Sequence, residues 1–146
     1  MFLYVLSFFF FFSLLFADSV MVNVNVAIDE IQEIAINGTP PTLTPSFPSS
    51  SGLTYSITTN KSATQKITAL VDSSFPSMIT VALSMNAPTG GSSSGSGSLS
   101  TLASTFVTNI PQIAQANMNF SYSFTEWPAG YAGTTMNNVT FTITDE

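Results

Sequence analysis

Apolar and polar residues alternate one by one in several segments of this chain. The alternation is clearest in residues 20–28 and returns in residues 79–85, 118–124 and 139–143. A two-residue period places the apolar side chains on one face of a β-strand, whereas a helix repeats every 3.6 residues. No segment beyond the first 17 residues has a helical period. The sequence therefore predicts an all-β protein.

Turn-forming residues separate the alternating segments. Counting these segments gives about eight short strands, which is typical of an immunoglobulin-like antiparallel β-sandwich. Residues 53–59 and 65–71 flank a short polar connection, and this arrangement predicts a β-hairpin. The Gly- and Ser-rich residues 86–98 predict a flexible surface loop. Leu43 and Phe47 are expected to anchor a Pro-rich loop to the core.

The chain begins with an apolar, uncharged stretch. Residues 1–16 are shorter than the roughly 20 residues that a membrane-spanning helix needs. Ala17 and the polar pair Asp18-Ser19 follow, as in a secretory signal with its cleavage site. We therefore expect a signal peptide at residues 1–17 and one β-sandwich domain at residues 18–146. The mature protein is expected to be secreted or to lie in the cell envelope, in the periplasm or at the cell surface, without inserting into a membrane.

Composition excludes several classes of function. Only 7% of the residues are charged, the net charge is −6, and Lys61 and Lys66 are the only cations. Such a chain offers no basic surface for nucleic acid. Histidine and cysteine are both absent, so neither a Ser-His-Asp triad nor a zinc-thiolate site can form. We expect no catalytic residue, no metal site and no cofactor.

Carboxylates leave two less favoured alternatives. The acids considered are Asp29, Glu30, Glu33, Asp72 and Glu126. Paired carboxylates can hydrolyse glycosidic bonds, and a cluster of them can bind Ca²⁺. Each of these acids is predicted at the end of a strand, where solvated acids are common, and no EF-hand pattern is present. A carboxylate-based hydrolase is the least favoured function.

One aromatic turn is a candidate for binding a partner. Trp127 and Tyr131 flank Pro-Ala-Gly, and two aromatic rings in a turn could stack on a sugar or contact a protein. Alternatively, the same turn could close one end of the core, which is the interpretation we favour. The binding hypothesis describes a monomeric extracellular module for a glycan or a protein.

A resemblance to a known family rests on the end of the chain. Residues 126–131 read Glu-Trp-Pro-Ala-Gly-Tyr and residues 139–144 read Val-Thr-Phe-Thr-Ile-Thr. This combination resembles the last strand of bacterial secreted immunoglobulin-like surface or fimbrial subunits, among them the spore coat protein U-like pilins. Residues 20–28 are similar to the donor segment of such pilins. Unlike most of those subunits, this chain has no cysteine.

The resemblance implies a function rather than individual site residues. It suggests an exported structural or adhesive surface protein, such as a fibre or envelope subunit, that self-associates or binds a surface protein or glycan. No residue of a family site is carried over to this chain.

The first alternating segment has two ways to pair. Its apolar face consists of Val20, Val22, Val24, Val26 and Ile28. The segment either completes the sandwich of its own chain or adds as a donor strand to a second copy. The predicted count of about eight strands exceeds the seven of a constant-type sandwich. This count favours pairing within the same chain.

The signal-peptide hypothesis makes a direct prediction. Secreted material should begin within about two residues of Asp18, because a small residue precedes the expected cleavage site. Intact-mass spectrometry of the secreted protein measures this position. Recovery of the protein in a membrane fraction with Met1 still present would contradict the hypothesis.

Overall fold

The computed structural model describes residues 26–44, 49–50, 52–126 and 135–146. These residues contain β-strands and no helix, so no helix in them could cross a membrane. The strands, in chain order, are β1 (Gln32–Asn37), β2 (Leu53–Thr59), β3 (Gln65–Val71), β4 (Thr80–Met85), β5 (Ser92–Ser93), β6 (Ser96–Ser98), β7 (Ser104–Ile110), β8 (Ile113–Glu126) and β9 (Val139–Asp145).

The strands form two antiparallel sheets that enclose one core. One sheet has the order β1-β2-β8-β4-β6, and the other has the order β5-β7-β3-β9. Apolar side chains of both sheets belong to a single buried cluster. The all-β sandwich predicted from the alternation is therefore confirmed.

Alternation in the sequence becomes alternation in burial. In β2 and β3 every second side chain is buried, with Tyr55, Ile57, Ile67 and Val71 among the inward residues. The intervening side chains are partly or fully exposed, and most of them are polar. Each strand therefore contributes one apolar face to the core, as a half-buried strand should.

Strand β8 organises the five-stranded sheet because it is long enough to serve two partners. Its first half pairs with β2 and its second half with β4. Phe120 lies at the junction, opposite both Leu53 of β2 and Met85 of β4. A register shift between β2 and the first half of β8 accompanies a positive φ of 61° at Asn117, which indicates a β-bulge.

Phe120 also connects the two sheets. Its ring meets that of Phe141 in β9 at a centroid distance of 5.6 Å, in an edge-on arrangement. Tyr122 and Tyr55 approach the same ring at 5.7 Å and 6.5 Å. Edge-to-face aromatic pairs at these distances stabilise beyond their buried area. The cluster therefore joins β2, β8 and β9.

Two predictions about the connections were wrong. Strands β2 and β3 do not form a hairpin, because they lie in different sheets and their connection crosses the sandwich. Residues 86–98 are not simply a flexible loop, since they contain β5 in one sheet and β6 in the other. The Ser93 hydroxyl donates to the Met85 carbonyl at 2.6 Å, and Gly97 lies so close to Phe106 that an added Cβ would be 3.0 Å from the ring.

The Pro-rich connection is described in part. Leu43 is partly buried against the core, as predicted. Phe47, the second expected anchor, lies outside the described residues.

A matched pair of leucines tests the core. Leu83 is fully buried in β4, whereas Leu102 is 78% exposed in the connection before β7. Replacing Leu83 by Ala should lower the free energy of unfolding by about 2–5 kcal/mol, through lost burial and a residual cavity. Replacing Leu102 by Ala should change it by no more than about 0.5 kcal/mol. Urea unfolding measures both values, and equal effects would contradict the assigned core.

Candidate functional site

A groove lies on one side of the sandwich, where the edge strands β1 and β9 face each other. Its volume is about 960 Å³. The two strands are close at one end, where Gln32 Nε2 donates to Asp145 Oδ1 at 3.3 Å. The groove lies toward their other ends, between Ile36 and Gly38 on one side and Val139 and Phe141 on the other. We refer to this cavity as the β1–β9 groove.

The walls of the β1–β9 groove are mainly apolar, with Thr and Asn side chains among the lining residues. Aromatic side chains from β8 and β9 contribute, together with aliphatic side chains from β2 and β4. None of the described residues that line it is charged. Burial raises the pKa of Tyr122 to about 12, so its hydroxyl is neutral at physiological pH. Apolar lining residues include Leu53, Phe75, Val81, Phe120, Phe124 and Phe141.

Gly38 shapes one rim of the groove. Its φ of 119° lies in a region that favours glycine, and a Cβ at this position would come within 2.9 Å of Leu53 Cδ2. The chain can therefore turn away at the end of β1 without filling the space beside Leu53.

Both strands that border the groove have an edge without a strand partner. β1 pairs only with β2, and β9 pairs only with β3, among the strands of the described residues. A free strand edge presents a row of backbone donors and acceptors that can accept another strand. The groove therefore combines an apolar interior with hydrogen-bonding groups on its rims.

The opposite side of the sandwich is built differently. Its edge strands are β5, which consists of two Ser residues, and β6, which reads Ser-Gly-Ser. Very short polar edge strands are a common means of preventing edge-to-edge association. The two sides therefore differ in their capacity to accept a strand.

The chain enters β1 at the end of the sandwich away from the groove. Asn60, in the connection after β2, accepts from Ile31 N at 2.7 Å and donates from Nδ2 to Asp29 O at 2.8 Å. Val26 and Ile28 are outside any strand, with exposed fractions of 76% and 77%. Val20, Val22 and Val24 of the predicted first strand lie outside the described residues.

A polar cluster closes the end where β1 and β9 approach. Lys61 Nζ lies 3.1 and 3.0 Å from the two carboxylate oxygens of Asp145, and Gln65 Nε2 donates to Asp145 at 2.7 Å. Gln65 is fully buried, and it also receives a hydrogen bond from Gln32. The hydrogen bond from Lys61 is the main cause that lowers the pKa of Asp145. The cluster links β1, the β2–β3 connection, β3 and β9.

Asp72 belongs to a separate cluster at the other end of β3. Its carboxylate accepts from the Asn138 side chain at 2.7 Å and from the Asn138 backbone at 3.1 Å. The side-chain hydrogen bond is the larger of these two causes that lower the pKa of Asp72. Asp29 and Glu30 lie near Asn60 and Lys61, at the opposite end. The structure therefore does not bring Asp72 together with these acids.

The other predicted site residues have mixed outcomes. Trp127 and Tyr131 lie outside the described residues, so the binding tip stays a prediction. In the described part of the chain, no three acidic side chains are grouped as a metal site would require. The β1–β9 groove was not predicted from the sequence. An edge strand and a central strand have the same two-residue period, so the sequence pattern does not show which strand lacks a neighbour.

No protein-family model, curated protein or solved structure matches the chain.

The polar cluster predicts a pH dependence. Because the folded pKa of Asp145 is lowered, its carboxylate stabilises the fold above its ordinary pKa, and this contribution is lost as the pH falls through the folded pKa. An Asp145→Asn variant should be less stable than the wild type at neutral pH, and the difference should shrink at about pH 2.5. Urea unfolding at the two pH values measures the difference.

The two lysines provide the control for this prediction. Lys61→Met should lower stability at neutral pH, as Asp145→Asn does, whereas Lys66 pairs with no described acid and Lys66→Met should have little effect. A difference between wild type and Asp145→Asn that is independent of pH would argue against an ionic contribution from this cluster.

Proposed function

We propose that this chain is an exported, non-catalytic subunit of a surface fibre, in which residues 20–28 of one copy occupy the β1–β9 groove of the next. The observation that carries the proposal is the groove itself, which is mainly apolar, uncharged in its described lining and bordered by two strand edges that pair with no described strand. An added strand would supply backbone partners to β1 or β9 and apolar side chains to the interior.

Residues 20–28 have the chemistry that the groove would accept. They read VMVNVNVAI, contain no charge, and place five branched apolar residues on one face. Nine residues in extended conformation span about 30 Å, longer than the seven-residue strand β9 beside which they would lie. With the apolar face inward, Asn23 and Asn25 would point to solvent.

The order of the described strands supports an immunoglobulin-like fold in which none of them occupies one of the strand positions. In a constant-type domain, strands A-B-E-D form one sheet and C-F-G the other. The order β1-β2-β8-β4 corresponds to A-B-E-D, and the pair β3-β9 corresponds to C-F, in the same chain order. Strands β5 to β7 are then an addition between D and E. The position of G, beside β9, has no strand among the described residues.

The number of strands does not decide where residues 20–28 pair. The predicted strand count favours pairing within their own chain only because it already exceeds seven. In the structure the extra strands are β5, β6 and β7, which lie on the other side of the sandwich from the groove. Their number therefore says nothing about whether the G position is filled.

Substitution on one face of the segment tests the proposal. Val22→Asn together with Val24→Asn should abolish assembly, because polar side chains would enter the apolar groove. Asn23→Ser together with Asn25→Ser changes the solvent face of the same strand and should leave assembly intact. Size-exclusion chromatography with light scattering measures the assembled fraction.

A synthetic peptide provides a second test of the proposal. Residues 18–30 added to the double Val variant should raise its melting temperature as peptide concentration increases, since a ligand that binds only the folded state stabilises it. If the wild type is instead a monomer whose stability is independent of protein concentration, and the double Val variant is simply less stable, the segment belongs to its own sandwich and the proposal fails.

A further inference from the structure

The proposed fibre requires that residues 20–28 do not occupy the groove of their own chain. The three residues 29–31 separate this segment from β1. Connections of this length commonly join antiparallel strands in a hairpin. A hairpin at residues 29–31 would lay the segment against the free edge of β1 and cover the same groove in cis. Some feature of the chain must therefore disfavour that turn.

Asn60 holds these residues in line with β1. Its backbone N–H donates to Ile31 O at 3.2 Å, which extends the β1–β2 pairing by one residue beyond Gln32 and Thr59. Its side chain then bonds Ile31 N and Asp29 O at 2.7 and 2.8 Å. The oxygen and the nitrogen of the Asn60 side-chain amide thus both bind backbone atoms of the segment that would have to form the hairpin turn.

Neighbouring contacts keep both partners in place. Gln112 Nε2 donates to Asn60 O at 2.8 Å, which fixes the connection that carries Asn60. Lys61, the next residue, lies 3.6 Å from a carboxylate oxygen of Glu30. A turn toward β9 would break the two side-chain bonds of Asn60, and the segment would leave the β2 side of β1.

We infer that Asn60 is a positioning residue that directs residues 20–28 away from their own groove and so selects donation to a second copy over pairing in cis. The inference rests on the proposed function. It adds a residue that decides whether residues 20–28 pair with their own chain or with a second copy. Asn60 also begins an Asn-X-Ser sequon, so a test must separate the amide from the sequon.

A cysteine reporter distinguishes the two pairings in the full chain. The protein has no cysteine, so Asn25→Cys and Thr140→Cys create a single defined pair, and Thr140 is exposed on β9. A short bismaleimide links the two sites within one chain if pairing is in cis, and between chains if pairing is in trans. Denaturing gels separate linked monomers from ladders.

Asn60→Ala should raise the ratio of cis to trans cross-links about tenfold, the factor expected from loss of two modest hydrogen bonds. Asn60→Asp retains the acceptor for Ile31 N but loses the donor to Asp29 O, and should give an intermediate ratio. Ser62→Ala removes the sequon, keeps the amide and should match the wild type. A role in stability alone would lower the melting temperature without changing the ratio.

The outcomes separate the inference from the proposed function. A wild type that forms ladders, together with an Asn60→Ala variant that forms them equally, overturns the inference and leaves the fibre proposal standing. A wild type that is linked only in cis overturns both. A change in ratio that Ser62→Ala reproduces assigns the effect to the sequon and also overturns the inference.

Discussion

Backbone hydrogen bonding at the edges of the two sheets is the constraint on which this structure depends. A sandwich has two sides, and on each side two edge strands expose donors and acceptors. On the side of β5 and β6 the edges are a few residues long and bear only Ser and Gly. On the side of β1 and β9 the edges are six and seven residues long and border an apolar groove. One side thus offers few backbone groups to an added strand, while the other has more of them.

The core must supply stability without covalent help. The chain has no cysteine and few charges, so packing between the sheets is the main contribution. Phe120 is central to this packing, because it lies where β2, β4 and β8 meet and its ring contacts Phe141 across the sandwich. The same two rings line the groove. An inserted strand would thus pack directly on the contact between Phe120 and Phe141. Filling the groove would therefore also stabilise the core.

The sequence predicted the positions of the strands better than it predicted which strands pair with each other. Alternation identified the buried faces of β4 and β8, and Leu83, Met118 and Tyr122 are buried as expected. It could not show that β2 and β3 lie in different sheets, since a short connection can join strands of one sheet or cross between two. The Gly- and Ser-rich segment was misread because its strands are held by the Ser93 hydroxyl and by close packing of Gly97, not by apolar side chains. The groove escaped prediction because it is a property of topology.

The positions of the groove and of the N-terminal segment determine what kind of assembly strand addition would give. Asn60 holds residues 29–31 at one end of the sandwich, whereas the groove lies toward the other ends of β1 and β9. On the proposed function, the surface that donates a strand and the surface that accepts one would therefore be different surfaces of each copy. A contact between unlike surfaces is heterologous, and it produces an open filament unless its rotation closes a ring. Pairing of residues 20–28 with their own β1 would use both surfaces within one chain. No surface would then remain for a second copy to bind by strand addition. On the proposed function, the direction in which the chain leaves β1 thus separates a fibre subunit from a monomer.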